Sequence, residues 1–496
     1  MKKILISLLF LGISLWNLTG LPIFSDEAIY IHWAQSAVRD PQSYLFLSML
    51  DGKPPLHVWA LMPIVATFRT DPLWFARAFS VICSLLTACV AVRTLRVFSL
   101  KARHESIAFA VFLFLPAFFF HARMALAESL FLLAFAFSLW GLLDYVIRKR
   151  MISILFFILG FSASLWIKTT AFFFIPIYAV FAFFLHQEMS GSYVGRMRSF
   201  VRWLLSKRGV IFILAGVLSG GIFAILKISP VFPSLFSRSA DYSFTISELL
   251  QGEWKYVLFT SSPRVVYWLG TYMTLLGFVV AFAKHRARTV FLLSAFAFIF
   301  PIILIGKVLT FRYFLPAVYL LSCSAVLAAC EYERYWKKLR GIWVLFVLHV
   351  IVFSSIFVFF PSQTPLTKED KNQYLFQWSS GYGIPEVREF FIQQSKENTN
   401  ILVATEGYFG TLPDGLKVYF TDRFYSGKLE IIGVGQPIAE VPLHLRVSAR
   451  SRPVYLIVNQ SRFSDTNVDH YEVLSLFPRP NNQHGLYLLK IRPEKE

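Results

Sequence analysis

Apolar blocks close to twenty residues long recur along the chain from residue 4 to residue 361, and about that many helical residues are needed to cross the hydrocarbon core of a bilayer. A soluble domain does not bury so many continuous apolar segments, because its helices keep one face in water. The pattern predicts a polytopic α-helical membrane protein. Spans are expected at 4–24, 72–98, 105–122, 124–147, 150–168, 169–186, 209–228, 264–284, 288–306, 312–331 and 341–361, about 11 transmembrane helices in all. Composition agrees: 56% of the 496 residues are hydrophobic, 53 are Phe, and only 16% are charged, far from soluble usage.

The first segment is longer than a signal-peptide core and is followed by no small-residue cleavage pattern, so it is read as a retained helix. Alternating the spans from a cytoplasmic N-terminus puts "RTLRVFSLKARH", "RKR", "GRMRSFVRWLLSKR", "KHRAR" and "RYWKKLR" on the N-terminal side, where 21 of the 33 Lys and Arg residues before residue 362 collect. That asymmetry is what the positive-inside rule requires. Residues 54–68, "PPLHVWALMPIVATF", are apolar but only 15 long, short of a span. They are read as a juxtamembrane or re-entrant piece inside a first outer loop of residues 25–71. The expected location is the cytoplasmic membrane, multi-pass, with the C-terminal part outside.

Charge also divides the chain. Residues 1–361 carry 33 basic and 14 acidic residues, whereas residues 362–496 carry 15 of each. The net charge of +19 therefore belongs to the membrane part and follows from topology, so it implies no nucleic-acid partner, although outer cations would suit an anionic lipid phosphate. Cys83, Cys89, Cys323 and Cys330 all fall in expected spans, which leaves neither a disulfide framework nor zinc-finger spacing. The expected domains are a transmembrane domain at 1–361 and an extracytoplasmic α/β domain at 362–496. In the latter, "IPEVREFFIQQSKEN" has helical apolar spacing, and "NILVAT", "RPVYLIVNQ" and "GLYLLKIR" read as strands between Pro, Gly and Asn. The tail carries no catalytic signature, and its glycines lack the spacing of a nucleotide loop.

Ionisable residues in or beside membrane helices are functional candidates by default. At the outer helix ends these are Asp26 and Glu27, Lys53 and His57 in "GKPPLHVW", Arg77, Arg123 and Glu128 in "HARMALAES", Lys168 in "WIKTT", and Lys307 with Arg312 in "GKVLTFRYFLP". Single cations at helix ends commonly anchor the helix, Asp26 could cap the helix that follows it, and Glu128 could answer a helix dipole. Taken together, two carboxylate sites among several cations suit transfer from a lipid phosphate-linked sugar. A carboxylate base takes the proton of an acceptor hydroxyl, and cations receive a phosphate leaving group that needs no general acid. A glycosidase would instead want two carboxyl groups flanking the bond in a water-filled cleft.

"SDEAIYIHWAQ", "GKPPLHVWAL", "FARAFSVICSLLTACVAVRTL", "ARMALAESLFLL" and "LWIKTTAFFFIP", in this order, resemble the dolichyl-phosphate-mannose protein mannosyltransferase superfamily, glycosyltransferase family 39, whose bacterial members include aminoarabinose lipid A transferase-like proteins. The resemblance is carried by the first half of the chain and then by "FRYFLP". It implies a GT-C type fold and an inverting single displacement from a polyprenyl-phosphate sugar, which makes the chain a hexosyl- or pentosyltransferase. It also implies Asp26 as the catalytic carboxylate, with Glu27 beside it and Glu128 in the second motif. Lys53 and Arg123 match positions facing the lipid phosphate or the loop carboxylates, and Arg77, Lys168, Lys307 and Arg312 complete the candidate donor-phosphate set. Relatives often have Glu directly before the Lys of the second quoted motif, where this chain has Gly52 with Asp51 one residue earlier. A divalent metal, with Glu27 and His57 as candidate ligands, is left open. The expected acceptor is a hydroxyl of a protein, as in protein O-glycosylation, or of a lipid or glycan. The alternative function is a transporter or flippase of lipid-linked sugars, which would place its charges near the membrane midplane on broken helices with repeat symmetry. No repeat is evident in the sequence.

Overall fold

The computed structural model describes residues 1–186, 193–256, 286–331, 336–397, 400–421 and 427–494. They form two compact units: Met1–Trp16, Phe46–His57 and Ala78–Val358 in the first, and Asn17–Leu45, Val58–Arg77 and Phe359–Glu496 in the second. The packing thus groups much of the expected first outer loop with the tail, where the sequence had placed residues 25–71 with the membrane helices.

The first unit is helical. Among the described residues, four helices are long and apolar enough to cross a membrane: Pro72–Val97, Ala127–Arg148, Lys207–Ile228 and Phe311–Cys330. Shorter apolar helices run over Ser153–Ile167, Thr169–Leu185, Thr289–Ile305 and Val344–Phe359, and another, Leu56–Thr67, belongs from Val58 onward to the second unit. The chain is a multi-pass membrane protein. The expected span at 264–284 lies outside the described residues.

Two expected spans differ in shape. The segment read as 105–122 is a pair of helices, Ala102–Phe114 and Pro116–Ala122, bent by 58°. Pro116 has no N–H to donate and pushes Leu115 out of the helical region, to φ −57° and ψ 126°. The segment read as 4–24 is a helix only over Lys2–Leu15 (α1). The chain leaves the helix at Trp16, where ψ is 132°, and passes through a positive φ at Asn17. Apolar periodicity reports burial and not helicity, so it could not register this exit. The carbonyls freed there still need donors, and Arg123 meets three of them from its Nη1: Ile13 at 2.9 Å, Ser14 at 2.7 Å and Trp16 at 3.0 Å.

The Ala127–Arg148 and Ser153–Ile167 helices form a hairpin. Lys149 takes the left-handed conformation at the first helix's C-terminus, and Asp144 accepts from the Ser153 hydroxyl at 2.5 Å across the turn. The backbones then run in contact. A Cβ on Gly141 would stand 2.5 Å from the Phe157 nitrogen, and one on Gly160 would stand 2.5 Å from the Ser138 nitrogen. Small residues that let helices approach are a usual solution in lipid, where no hydrophobic driving force draws helices together.

The second unit contains helix α2, Ser25–Arg39, and a five-stranded sheet in the order β2-β1-β3-β5-β4. The strands are β1 Ile401–Thr405, β2 Leu429–Gly433, β3 Val454–Asn459, β4 Tyr471–Arg479 and β5 Gln483–Ile491. Strand β1 pairs parallel with β2 and β3, and β5 pairs antiparallel with β3 and β4. Every residue of β1 and β3 is buried, which is why both read as continuous apolar runs. Leu402, Leu456, Val458 and Leu489 of the sheet pack with Leu445 of the Leu443–Ser448 helix. The Ile384–Glu397 helix buries Val387 and Phe391, as its spacing predicts. The expected α/β tail is therefore a sheet domain with helices, and it includes two strands, β2 and β4, that the sequence did not reveal.

Candidate active site

Asp26 and Glu27 occupy the first turn of α2, where carboxylates meet the positive end of the helix dipole. Their roles diverge there. Glu27 is fully buried, and its carboxylate takes Arg77 Nε at 2.8 Å on one oxygen and Arg77 Nη2 at 2.6 Å on the other. The second oxygen also accepts from the Phe24 N–H at 2.9 Å, reaching back across the turn. Arg77, itself fully buried, gives its remaining hydrogens to the carbonyls of Leu18, Leu21 and Pro22 at 2.8, 2.7 and 3.2 Å. The sequence offered Glu27 as a catalytic group and Arg77 as a phosphate ligand. In the fold they bond to each other, and together they hold the irregular stretch 18–24 that leads into α2. Asp26 is only half-buried, on the turn this pair fixes.

A second bond locks α2 further along. His32 Nδ1 lies 2.5 Å from Asp414 Oδ1, and the other Asp414 oxygen accepts the Gly410 N–H at 2.6 Å. The backbone N–H of Ser25 donates to the Ser379 carbonyl at 3.0 Å. Sequence reading did not pair them, since His32 and Asp414 are 382 residues apart and Asp414 sits in none of the quoted motifs.

In the first unit the other carboxylate, Glu128, is buried in the first turn of the Ala127–Arg148 helix. Lys168 Nζ bonds its Oε1 at 2.5 Å, and Arg312 Nε stands 3.8 Å from the same oxygen. Lys168 follows directly on the Ser153–Ile167 helix, and Arg312 lies in the turn that opens the Leu315–Glu331 helix, so three elements converge on one carboxylate. Lys168 Nζ also lies 5.9 Å over the Phe131 ring and 5.7 Å over Tyr313, a setting in which its charge is screened less than in open water. His57 and His121 are buried, and the charge of Glu128 acts on both.

The remaining candidates are dispersed. Lys53 pairs with Asp51 at 2.8 Å, and Asp51 also receives Arg238. Lys307 pairs with Glu248 at 2.7 Å, and with the Thr245 N–H this holds the Glu248 carboxyl down at about 2. Arg123 was read as a phosphate ligand. It caps the end of α1 instead, with its guanidinium over the Phe119 and Phe357 rings at 5.9 and 5.2 Å. Among the described residues no group of three His, Cys, Asp or Glu side chains is disposed to hold a metal ion, and both Glu27 oxygens are already taken. Glu27, engaged by Arg77 and the Phe24 N–H, does not fit the part of a divalent-ion ligand. Arg238 and Glu248 are charged neighbours that the sequence did not put forward, and only chain folding brings them to Asp51 and Lys307.

The fold and these two carboxylate centres define a class: a multi-pass helical membrane protein with a C-terminal α/β sheet domain and buried, cation-paired carboxylates at helix starts. Within it, residues 40–226 match the model of the family described as dolichyl-phosphate-mannose-protein mannosyltransferase. That range holds Lys53, Arg77, Arg123, Glu128 and Lys168, whereas Asp26 and Glu27 precede it and Lys307 and Arg312 follow it. Among solved structures, ArnT from Cupriavidus metallidurans in the apo state is similar with a TM-score of 0.61 at 13% identity, covering 98% of this chain and 97% of that one. The same protein bound to undecaprenyl phosphate is similar with a TM-score of 0.59, again at 13% identity and with the same coverage. No curated protein matches the sequence. The resemblance to the mannosyltransferase superfamily is thereby supported, and the ArnT-like fold extends over nearly the whole chain.

Proposed function

We propose that the protein is a membrane glycosyltransferase of GT-C type. It moves a sugar from a polyprenyl-phosphate donor to a hydroxyl on the outer side of the cytoplasmic membrane, with inversion. The observation that carries this reading is the division of labour in the first turn of α2, where the buried Glu27–Arg77 pair fixes the backbone and Asp26 is left half-buried on the same turn. Asp26 then acts as the base that takes the acceptor proton as the hydroxyl oxygen attacks the anomeric carbon. The bond from that carbon to the phosphate oxygen breaks, and the lipid phosphate leaves as an anion without a proton donor. Lys168 and Arg312, held by Glu128, are the assigned phosphate receivers. Lys53 and Lys307 are further candidates, each balanced by a carboxylate it can exchange for phosphate.

The family match over residues 40–226 and the undecaprenyl phosphate bound by the ArnT relative support a lipid-phosphate donor. Eleven spans, a cytoplasmic N-terminus and an outer tail belong to the same reading and rest on the distribution of basic residues. The test is Asp26→Asn. Transfer from a synthetic polyprenyl-phosphate sugar, measured per folded molecule, falls by about 10²- to 10⁴-fold, the usual cost of losing a general base. Activity like that of the parent removes Asp26 from the mechanism.

A further inference from the structure

The carboxyl ends of parallel strands are where open α/β sheets bind ligands. In the second unit the segments leaving that edge of β1, β2 and β3 form one connected surface. The loop after β1 carries Gly407, Tyr408, Phe409 and Gly410, and Gly407 donates to the Gly435 carbonyl at 2.7 Å. Tyr408 is 73% exposed and Phe409 is 52% exposed, although most of the residues around them are buried. Beside them Trp378 is 38% exposed, and the Arg462 guanidinium lies 4.0 Å over its ring. Arg462 also bonds the exposed Gln436 and stands 3.4 Å from Glu406.

The position of this surface is fixed against α2. Gly410 has φ +118°, and a Cβ there would meet the Ser25 hydroxyl at 3.5 Å and the Trp378 ring at 3.9 Å. Its N–H is tied through Asp414 to His32 of α2. The loop therefore lies over the residue that immediately precedes Asp26, and it cannot be lifted without breaking the His32–Asp414–Gly410 link.

Three exposed rings, one of them stacked on a guanidinium that bonds an amide, have a defined chemical complement. The negative face of an aromatic ring attracts the C–H face of a pyranose, and planar amide and guanidinium groups pair with ring hydroxyls.

We propose that Trp378, Tyr408 and Phe409, with Gln436 and Arg462, form an acceptor platform that stacks a sugar ring beside Asp26, so that the hydroxyl receiving the transferred sugar belongs to a saccharide. This rests on the assignment of Asp26 as base.

The experiment uses the full chain in a non-glycosidic detergent and saturation-transfer NMR with a glucose trisaccharide and an N-acetylglucosamine disaccharide. A Ser/Thr-rich peptide and anionic lipid vesicles serve as parallel probes. The parent chain shows saturation transfer to ring protons of at least one saccharide. Trp378→Ala and the double variant Tyr408→Ser/Phe409→Ser weaken that binding by about tenfold or more, as removal of an aromatic anchor does, and keep the parent's undecaprenyl phosphate affinity. Asp26→Asn keeps the saccharide signal while losing transfer, which separates the platform from the base. No saccharide signal in the parent overturns the proposal, and so does one that is undiminished in both aromatic variants. A variant-sensitive signal from the peptide or the vesicles in place of the saccharides does the same. If the parent transfers no sugar from any polyprenyl-phosphate donor, the proposed function fails, while the binding comparison still decides the platform.

Discussion

Replacing Glu27 by Gln tests whether the buried pair at the start of α2 is scaffold or chemistry. The substitution keeps the side chain's size and one acceptor oxygen but removes the charge. Arg77 then stays fully buried with a formal charge that three backbone carbonyls, at 2.8, 2.7 and 3.2 Å, only partly balance. Breaking a buried ion pair by removing one partner costs about 3–5 kcal/mol. Arg77→Met should cost at least as much, because it orphans the Glu27 carboxylate and the carbonyls of Leu18, Leu21 and Pro22 together, and each buried group left unpaired costs about 1–3 kcal/mol. The double variant should be less damaging than the sum of the singles by about 0.5–3 kcal/mol, the coupling usual for groups in direct contact. The assay is thermal unfolding of the detergent-solubilised chain, with transfer per folded molecule measured in parallel. The expected outcome for Glu27→Gln is a clear fall in unfolding midpoint with residual transfer. An unchanged midpoint with abolished transfer would refute the scaffold reading and return Glu27 to the catalytic set.

Lys168→Gln and Arg312→Gln should each weaken donor use strongly, because charge-assisted bonds to phosphate are about twice as strong as neutral ones. Rates equal to the parent's in both variants would move the phosphate site to Lys53 or Lys307. In the tail, burial raises the Glu406 carboxyl above its ordinary range against the bonds from Asn459 and Arg462. The folded state then holds that proton longer than the unfolded one, and stability falls as pH rises from the unfolded carboxyl's range to the folded one. Glu406→Gln should flatten that part of the unfolding-midpoint profile, and a parent-like slope would show that Glu406 is not its source. For topology, single cysteines at the exposed positions Ser43 and Ser451, in a chain cleared of its native cysteines, should react with an impermeant thiol reagent in intact cells. One at the exposed Met197 should not, and labelling at Met197 alone would invert the orientation.

Much of the membrane part was legible because apolar length is a direct physical requirement. The Pro72–Val97 and Ala127–Arg148 helices lie within a few residues of the expected 72–98 and 124–147. Asp26 and Glu128 were legible as carboxylates at helix starts, and both occupy first turns. What sequence could not convey was partnership. Glu27 and Asp26 are adjacent and of the same chemistry, and only the arrival of Arg77 from 50 residues away separates them. Arg123 stood in a motif that suggested phosphate. Its bonds to carbonyls of α1 arise because that helix ends nine residues before the apolar run does, a stop marked by no helix breaker until Gly20 and Pro22. In the tail, β1 and β3 announced themselves as apolar runs, whereas the edge strand β4, "YEVLSLFPR", mixes exposed and half-buried residues without regular alternation and buries only Arg479, which carries a weaker signal.

The glycine-packed hairpin has a consequence for how this site could diverge. Its closed end is the turn at Lys149, and its open end carries Glu128 on one arm and Lys168 just beyond the other. The gap between those two charges is set by how near the arms lie, and that is set by two hydrogens, those standing where Gly141 and Gly160 would otherwise have methyl groups. A single alanine at either position would act as a wedge eight or more residues along the chain from Glu128 and Lys168 and prise the ion pair open like the jaws of tongs. The dimensions of the proposed phosphate site are therefore held by residues that carry no chemistry. Changes in the donor it accepts can arise by mutation in the middle of the membrane, with every charged residue left in place.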